Sequence, residues 1–176
     1  MKKLVGKRII LRQWKKEDLK DLFEYAKLDS VGPNAGWKPH KNIKESKEIL
    51  ESFIKENEVY AIELKNEGKV IGSIGFHDRI IDKKYEALNQ REIGIALNPK
   101  YWGNEYSKEA INLLIQYGFK TLKLDMIWMC HHEENTKSEK MIKKCGFKYC
   151  LEKEITLERL NNKKVLAKFY TLKNKF

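Results

Sequence analysis

Asn98-Pro99-Lys100-Tyr101-Trp102-Gly103-Asn104-Glu105-Tyr106-Ser107-Lys108-Glu109-Ala110 reads as the end of a strand, a turn and the start of a helix. Behind it, Gln90 to Leu97 predicts a strand that Asn98-Pro99 closes. Ahead of it, Ala110, Leu113, Leu114 and Tyr117 fall at helical spacing and predict a helix from about Tyr106 to Leu122. A helix N-terminus presents unpaired N–H groups and a partial positive charge, so a phosphate or pyrophosphate settles there without any side chain. Ordinary strand-to-helix turns look alike, so both readings stay open on this stretch alone. Neither G-x-x-x-x-G-K-S/T nor G-x-G-x-x-G occurs, which removes nucleoside triphosphates and dinucleotides as obvious ligands.

Upstream, Arg8 to Gln13 reads as a first strand and Glu17 to Leu28 as a helix through Leu19, Leu22, Phe23 and Ala26. Val31 to Lys41, with Gly32, Pro33, Gly36 and Pro39, has the chemistry of a shaped loop. Asn42 with Glu45 predicts a capping box before a helix whose Ile43, Ile49, Leu50, Phe53 and Ile54 share one face. Val59 to Leu64 and Val70 to Phe76, joined by Asn66-Glu67-Gly68, read as a hairpin. Downstream, Met126 to Cys130 predicts a short buried strand, and Asn135 caps a helix that stops at Gly146. Strands at about Tyr149 to Leu157 and Lys164 to Leu172 end the series, joined by Leu160-Asn161-Asn162-Lys163. The order β, α, α, β, β, β, α, β, α, β, β makes an α/β sheet of mixed direction with helices on its faces.

The 176 residues, 41% apolar and 35% charged, suit a single domain, residues 1–176, with one real core. No run approaches the roughly 18 apolar residues of a membrane span, and the basic start has no apolar stretch behind it, so a cytoplasmic protein is expected. Net charge is +11, which raises nucleic acid, ribosome or an anionic ligand as partners. The excess is 31 Lys against 5 Arg, however, and base-edge readers lean on Arg, so no specific DNA binding is expected. Cys130, Cys145 and Cys150 form no C-x-x-C pair and read as reduced thiols. His131-His132-Glu133-Glu134 is not read as a metal site, because adjacent side chains diverge at a strand end.

Three segments in order resemble a known family. Glu92-Ile93-Gly94-Ile95-Ala96-Leu97-Asn98-Pro99, then Tyr101-Trp102-Gly103-x-x-Tyr106-Ser107-x-Glu109-Ala110, then Asn135-x-x-Ser138 with Cys145-Gly146-Phe147 are similar to GCN5-related N-acetyltransferases (GNAT) of the ribosomal-protein alanine/serine N-acetyltransferase type. The likeness spans nearly the whole chain. It implies a GNAT fold: a mixed, mostly antiparallel sheet of about seven strands flanked by about four helices, splayed between the fourth and fifth strands. It implies acetyl-CoA as cofactor and an amine as acceptor, a protein N-terminus or, alternatively, a small amine such as a polyamine, amino acid or amino sugar. It further implies that pantetheine pairs with the backbone around Ile95, Ala96 and Leu97. The diphosphate would then lie on the N–H groups of about Gly103 to Lys108, that is Gly103, Asn104, Glu105, Tyr106, Ser107 and Lys108, with Trp102 also among the cofactor contacts.

One position departs from the family's Gln/Arg-Gly-x-Gly-x-Gly/Ala loop: Glu105 stands where the second glycine belongs. At ~4 Å and an effective dielectric of ~20 like charges repel by roughly 4 kcal/mol. The Glu105 carboxylate therefore points outward, or cofactor binding is weakened, and a non-catalytic CoA-binding protein is the corresponding third reading.

Direct transfer needs a neutral amine. An α-amine of pKa ~7.7 to 8.0 is partly neutral at pH 7 and a lysine at ~10.4 is not, a gap of about 3.4 kcal/mol, so an N-terminal acceptor needs only a modest base. Glu92 is the candidate base, and Ser138 the candidate donor to the leaving sulfur. Asn135 reads as a helix cap, and the resemblance adds contact with the pantetheine or adenosine. Trp37 and His40, in the loop after the first helix, and His77 are candidates for binding the acceptor. Lys108, Lys137, Lys140 and Lys143 are expected near the phosphates. Ribosome attraction enters as a salt-sensitive aid to encounter. Phe169, Tyr170 and Phe176 are read as exposed aromatics at a dimer edge, leaving monomer and homodimer both open.

Overall fold

The computed structural model describes residues 1–174. Eight strands form one sheet: β1 (Leu4–Val5), β2 (Ile9–Arg12), β3 (Val59–Leu64), β4 (Val70–His77), β5 (Gln90–Leu97), β6 (Met126–His132), β7 (Lys148–Leu157) and β8 (Lys163–Lys173). They lie in the order β1-β2-β3-β4-β5-β6-β8-β7. Every neighbouring pair is antiparallel except β5 and β6. The helices are α1 (Leu19–Ala26), α2 (Gly32–Ala35), α3 (Ile43–Glu56), α4 (Tyr106–Lys120) and α5 (Thr136–Lys144). The α/β class and the splayed sheet hold, with one strand and one helix more than expected. Two-residue β1 is too short to show alternation. In α2, Pro33 sits in the first turn and Gly36 ends the helix at φ 88°, so residues that read as loop punctuation start and stop one helical turn.

The two faces of the sheet carry separate cores. Ile9, Leu11, Ile62, Ile74, Ile93 and Ile127 pack with Ala110, Ile111 and Leu114 of α4 and Ile142 of α5. On the other face Ala61 and Val70 pack with Leu22, Tyr25 and Ala26 of α1 and Leu50 of α3. The α3 face is narrower than its periodicity predicts: Leu50 is buried but Ile43 and Ile54 are exposed. Half of the expected capping box forms: Asn42 Oδ1 accepts from Glu45 N–H at 3.0 Å, but Glu45 Oε2 accepts from Lys41 N–H at 2.7 Å, one residue ahead of the cap. The expected dimer edge is corrected. Phe169 and Tyr170 are buried in the sheet, because β8 lies between β6 and β7 and is not an edge, and Phe176 lies outside the described residues.

Candidate active site

The cleft is made by two parallel strands that part. Pairing of β5 with β6 covers Gln90↔Met126, Arg91↔Ile127 and Glu92↔Trp128, and there it stops. From Ile93 onward β5 keeps only β4 as a partner. Asn98 N–H donates to Ile71 O at 2.8 Å, which fixes the parity of that antiparallel ladder. Asn98, Ala96, Gly94 and Glu92 therefore turn their N–H and C=O groups to β4, and Leu97, Ile95 and Ile93 turn theirs into the gap. An extended amide-bearing chain can pair with such an edge as an added strand would. One of these groups is already used: Trp102 Nε1–H donates to the Leu97 carbonyl at 3.0 Å.

Residues 98–105 connect this edge to α4 and are braced from both sides. Glu24 of α1 accepts from Asn98 Nδ2 at 3.1 Å and holds Lys100 Nζ at 2.9 Å and Lys69 Nζ at 2.6 Å. Hydrogen bonds from Lys69 and Lys100 push the Glu24 carboxyl down to about 2. On the far side Arg8 donates from Nη1 to Asn104 O at 2.9 Å and from Nε to Glu109 Oε2 at 2.9 Å, and its guanidinium stacks over Tyr106. Glu109 is thereby a structural anchor, also accepting the Arg8 N–H at 2.7 Å. Glu109 N–H is bonded back to Glu105 O at 3.1 Å, so Tyr106, Ser107 and Lys108 stand ahead of the α4 ladder with N–H groups for an anion.

Gly103 has φ 82° and Glu105 φ 60°. The loop thus keeps two left-handed positions two residues apart although only one is glycine. The Glu105 side chain is 55% exposed and lies 3.6 Å from Lys144 Nζ, which offsets part of its charge.

Asn135 caps α5, Oδ1 accepting from Ser138 N–H at 3.1 Å, and Ser138 is partly buried in that first turn. Lys137 of the same turn places Nζ 4.7 Å from the centre of the Trp102 ring, which joins the start of α5 to the loop before α4. Of the other lysines expected near phosphate, Lys143 is held by Glu139 at 2.6 Å.

On the opposite face, where α1 and α3 pack, Glu92 is buried at the point where the strands part. His77 is its cross-strand partner on β4, and its ring covers Gly94, where a Cβ would come within 2.6 Å of Nε2. Arg79 Nη1 lies 3.1 Å from Glu92 Oε2. Burial, and next the nearby Glu92 charge, raise the Cys130 thiol of β6 well above its ordinary range. Burial, opposed by the Glu92 charge, lowers the pKa of His77. Arg79 and Cys130 had no signal in the sequence: one stands in an irregular segment, the other in a strand of apolar residues.

The rings of Trp37 and His40 meet at a tilt of 46°, their centroids 5.3 Å apart. His40 is buried, its Nδ1 2.7 Å from Ser46 Oγ, and Trp37 packs on the α1 and α3 core. They shape the segment that carries Gly36 toward Leu157 of β7 and share no hydrogen bond with Glu92 or His77. His131 is a core residue, bonded through Nε2 to the Tyr170 hydroxyl at 3.2 Å.

Residues 8–148 match the model of the acetyltransferase (GNAT) domain. The chain belongs to that family and is an acyl-CoA-dependent N-acetyltransferase, with acetyl-CoA as cosubstrate. An uncharacterized N-acetyltransferase of Bacillus subtilis, YnaD, is 29% identical over 164 residues, 85% of this chain and 88% of its own length. A GNAT-family acetyltransferase from Bacillus anthracis superposes with a TM-score of 0.85 at 22% identity, covering 98% of both chains. The microcin C7 self-immunity acetyltransferase MccE, solved in complex with acetyl-CoA and AMP, superposes at 0.75 with 22% identity, covering 96% of this chain and 94% of its own. No described helix is long and apolar enough to cross a membrane.

Proposed function

We propose that this chain, acting as one domain, acetylates the α-amine at a protein N-terminus in the manner of the ribosomal-protein alanine/serine N-acetyltransferases. The observation that carries the reading is the buried carboxylate of Glu92 at the point where β5 and β6 part, directly continuous with the free β5 edge. Bound acetyl-CoA supplies a thioester whose carbonyl carbon is attacked by the amine as the thiolate departs. The N–H and C=O of Ile95 and the N–H of Leu97 orient the pantetheine. The N–H groups from Gly103 to Lys108 would hold the diphosphate, and Asn135 would contact the pantetheine or adenosine. Glu92 takes the amine proton at a carboxylate oxygen, directly or through one water, and the Ser138 hydroxyl donates to the leaving sulfur.

The charges around Glu92 offer a polyamine no excess of carboxylates: Arg79 sits on the Glu92 carboxylate, and further out Glu58 is balanced by Arg159. The Lys-rich surface favours encounter with a ribosome at low salt. Release of CoA thiol, measured against a panel of N-terminal peptides and a panel of small amines, tests the assignment. Turnover with peptides and little with amines is expected, and the converse would replace it. Acetyl-CoA at millimolar concentration should raise the melting temperature; no rise would remove the cosubstrate from the scheme.

A further inference from the structure

Glu92 is a base already in use. Its side chain is 5% exposed and Oε2 holds Arg79, whose own side chain is 49% exposed. Arg79 belongs to the irregular segment after β4, so its guanidinium reaches the carboxylate from the solvent side. His77 of β4 and Cys130 of β6 face Glu92 from the neighbouring strands, and Glu58 and Arg159 act on His77 from further out. An arriving ammonium thus meets a guanidinium at the carboxylate that is to take its proton, and the two cations repel. A plain amine gives Arg79 nothing in exchange for Glu92.

We infer that the acceptor carries a carboxylate a few bonds from its amine, and that Arg79 passes from Glu92 to that carboxylate as the acceptor docks. The guanidinium matches a carboxylate in a two-pronged pair, so the new contact is at least as good as the old one. Glu92 is then released to face the amine. No covalent bond changes in the exchange. An amine with no anion leaves Arg79 in place and is rejected, so one residue links recognition to the availability of the base. The inference rests on Glu92 being the base. The carboxylate has two sources, an Asp or Glu early in a peptide or the α-carboxylate of a free amino acid.

Two matched pairs test it: an amidated Ser-Asp-Ala-Ala peptide against Ser-Asn-Ala-Ala, and free serine against serinamide. Calorimetric Kd with no acyl donor present and kcat/KM with acetyl-CoA are measured for each. The carboxylate member of one pair should bind and react at least about tenfold better, and which pair does so names the source. In Arg79→Gln that ratio should collapse to within about twofold, and Arg79→Lys should keep part of it. A ratio near one in the native protein, or one that survives in Arg79→Gln, overturns the inference while leaving acetyl transfer intact. Turnover with neither peptides nor amines overturns the proposed function, and this inference with it.

Discussion

The two sides of the cleft are built from different material. On the proposed reading, the donor side is one continuous run, Ile93 to Lys108, that offers mainly backbone: the free edge of β5, a loop with two left-handed residues and the start of α4. On the same proposed reading, the acceptor side is made of polar side chains gathered from separate elements, Glu92 from β5, His77 from β4, Arg79 from the segment after it and Arg159 from the turn after β7. A backbone site survives substitution as long as the conformation is kept, which is how Glu105 can stand in a glycine position. A side-chain site changes with every substitution. Within one fold, the donor is therefore held constant while the acceptor is free to vary.

The sharpest break between the halves should come from Glu92→Gln. It is expected to lower kcat/KM by about 10²- to 10⁴-fold with acetyl-CoA affinity within about twofold of native. A loss of donor affinity instead would mean that the two sides are not separable. Gly94→Ala probes the same division within a single strand. Its N–H and C=O face β4, so donor binding should hold, but the new Cβ displaces the His77 ring, and transfer should fall roughly tenfold.

The reverse pattern belongs to Arg8→Ala, which frees the Asn104 carbonyl and the Glu109 carboxylate. A rise of roughly tenfold in the Kd of CoA and a stability loss of about 1 kcal/mol are expected, because the brace is partly solvated. Glu105→Gly should act in the opposite sense and more weakly. It relieves about 1 kcal/mol of left-handed strain and removes a charge near the diphosphate, so the melting temperature should rise and CoA bind up to about threefold tighter. Weaker CoA binding would show that the carboxylate helps the loop keep its shape.

The smallest effect is on pH dependence. Burial lowers the pKa of His40, His77 and His132, so the unfolded chain takes up protons first, near the ordinary 6.5. Stability should therefore be full above that pH and decline as pH falls below it. Glu24 has the other origin: its carboxyl is held down to about 2, so its share is present above the ordinary 4.5 and is lost as pH falls from there toward 2. Melting curves from pH 7 to pH 3 should show two stages, and Glu24→Gln should flatten the second.

What could be read from the sequence divides along the same line. The strand, turn and helix around Trp102 are local in the chain and leave local marks: Asn98-Pro99, Gly103 and a helical period. The order of the remaining elements is equally visible and makes a mixed sheet, whereas its splay is implied only by the family resemblance. Arg79 and Cys130 were not legible, since only strand pairing brings them to Glu92, and a lone Arg in a loop looks like any solvated charge. Arg8 has the sequence context of a strand start, although its side chain holds the loop after β5. His40 illustrates the converse: a histidine in a loop suggests a ligand, and here its ring is buried against Ser46.

Trp102 links three parts of the donor side, bonding to the Leu97 carbonyl, lying under the Lys137 ammonium and belonging to the loop itself. It is 38% exposed, while Trp14 and Trp128 are buried in the two halves of the sheet. On the proposed reading, pantetheine paired with the Leu97 N–H would lie next to the indole that holds the Leu97 carbonyl. The protein therefore carries its own optical reporter: donor binding should be visible as a change in Trp102 emission, without label or coupled assay, and Trp102→Phe should silence it.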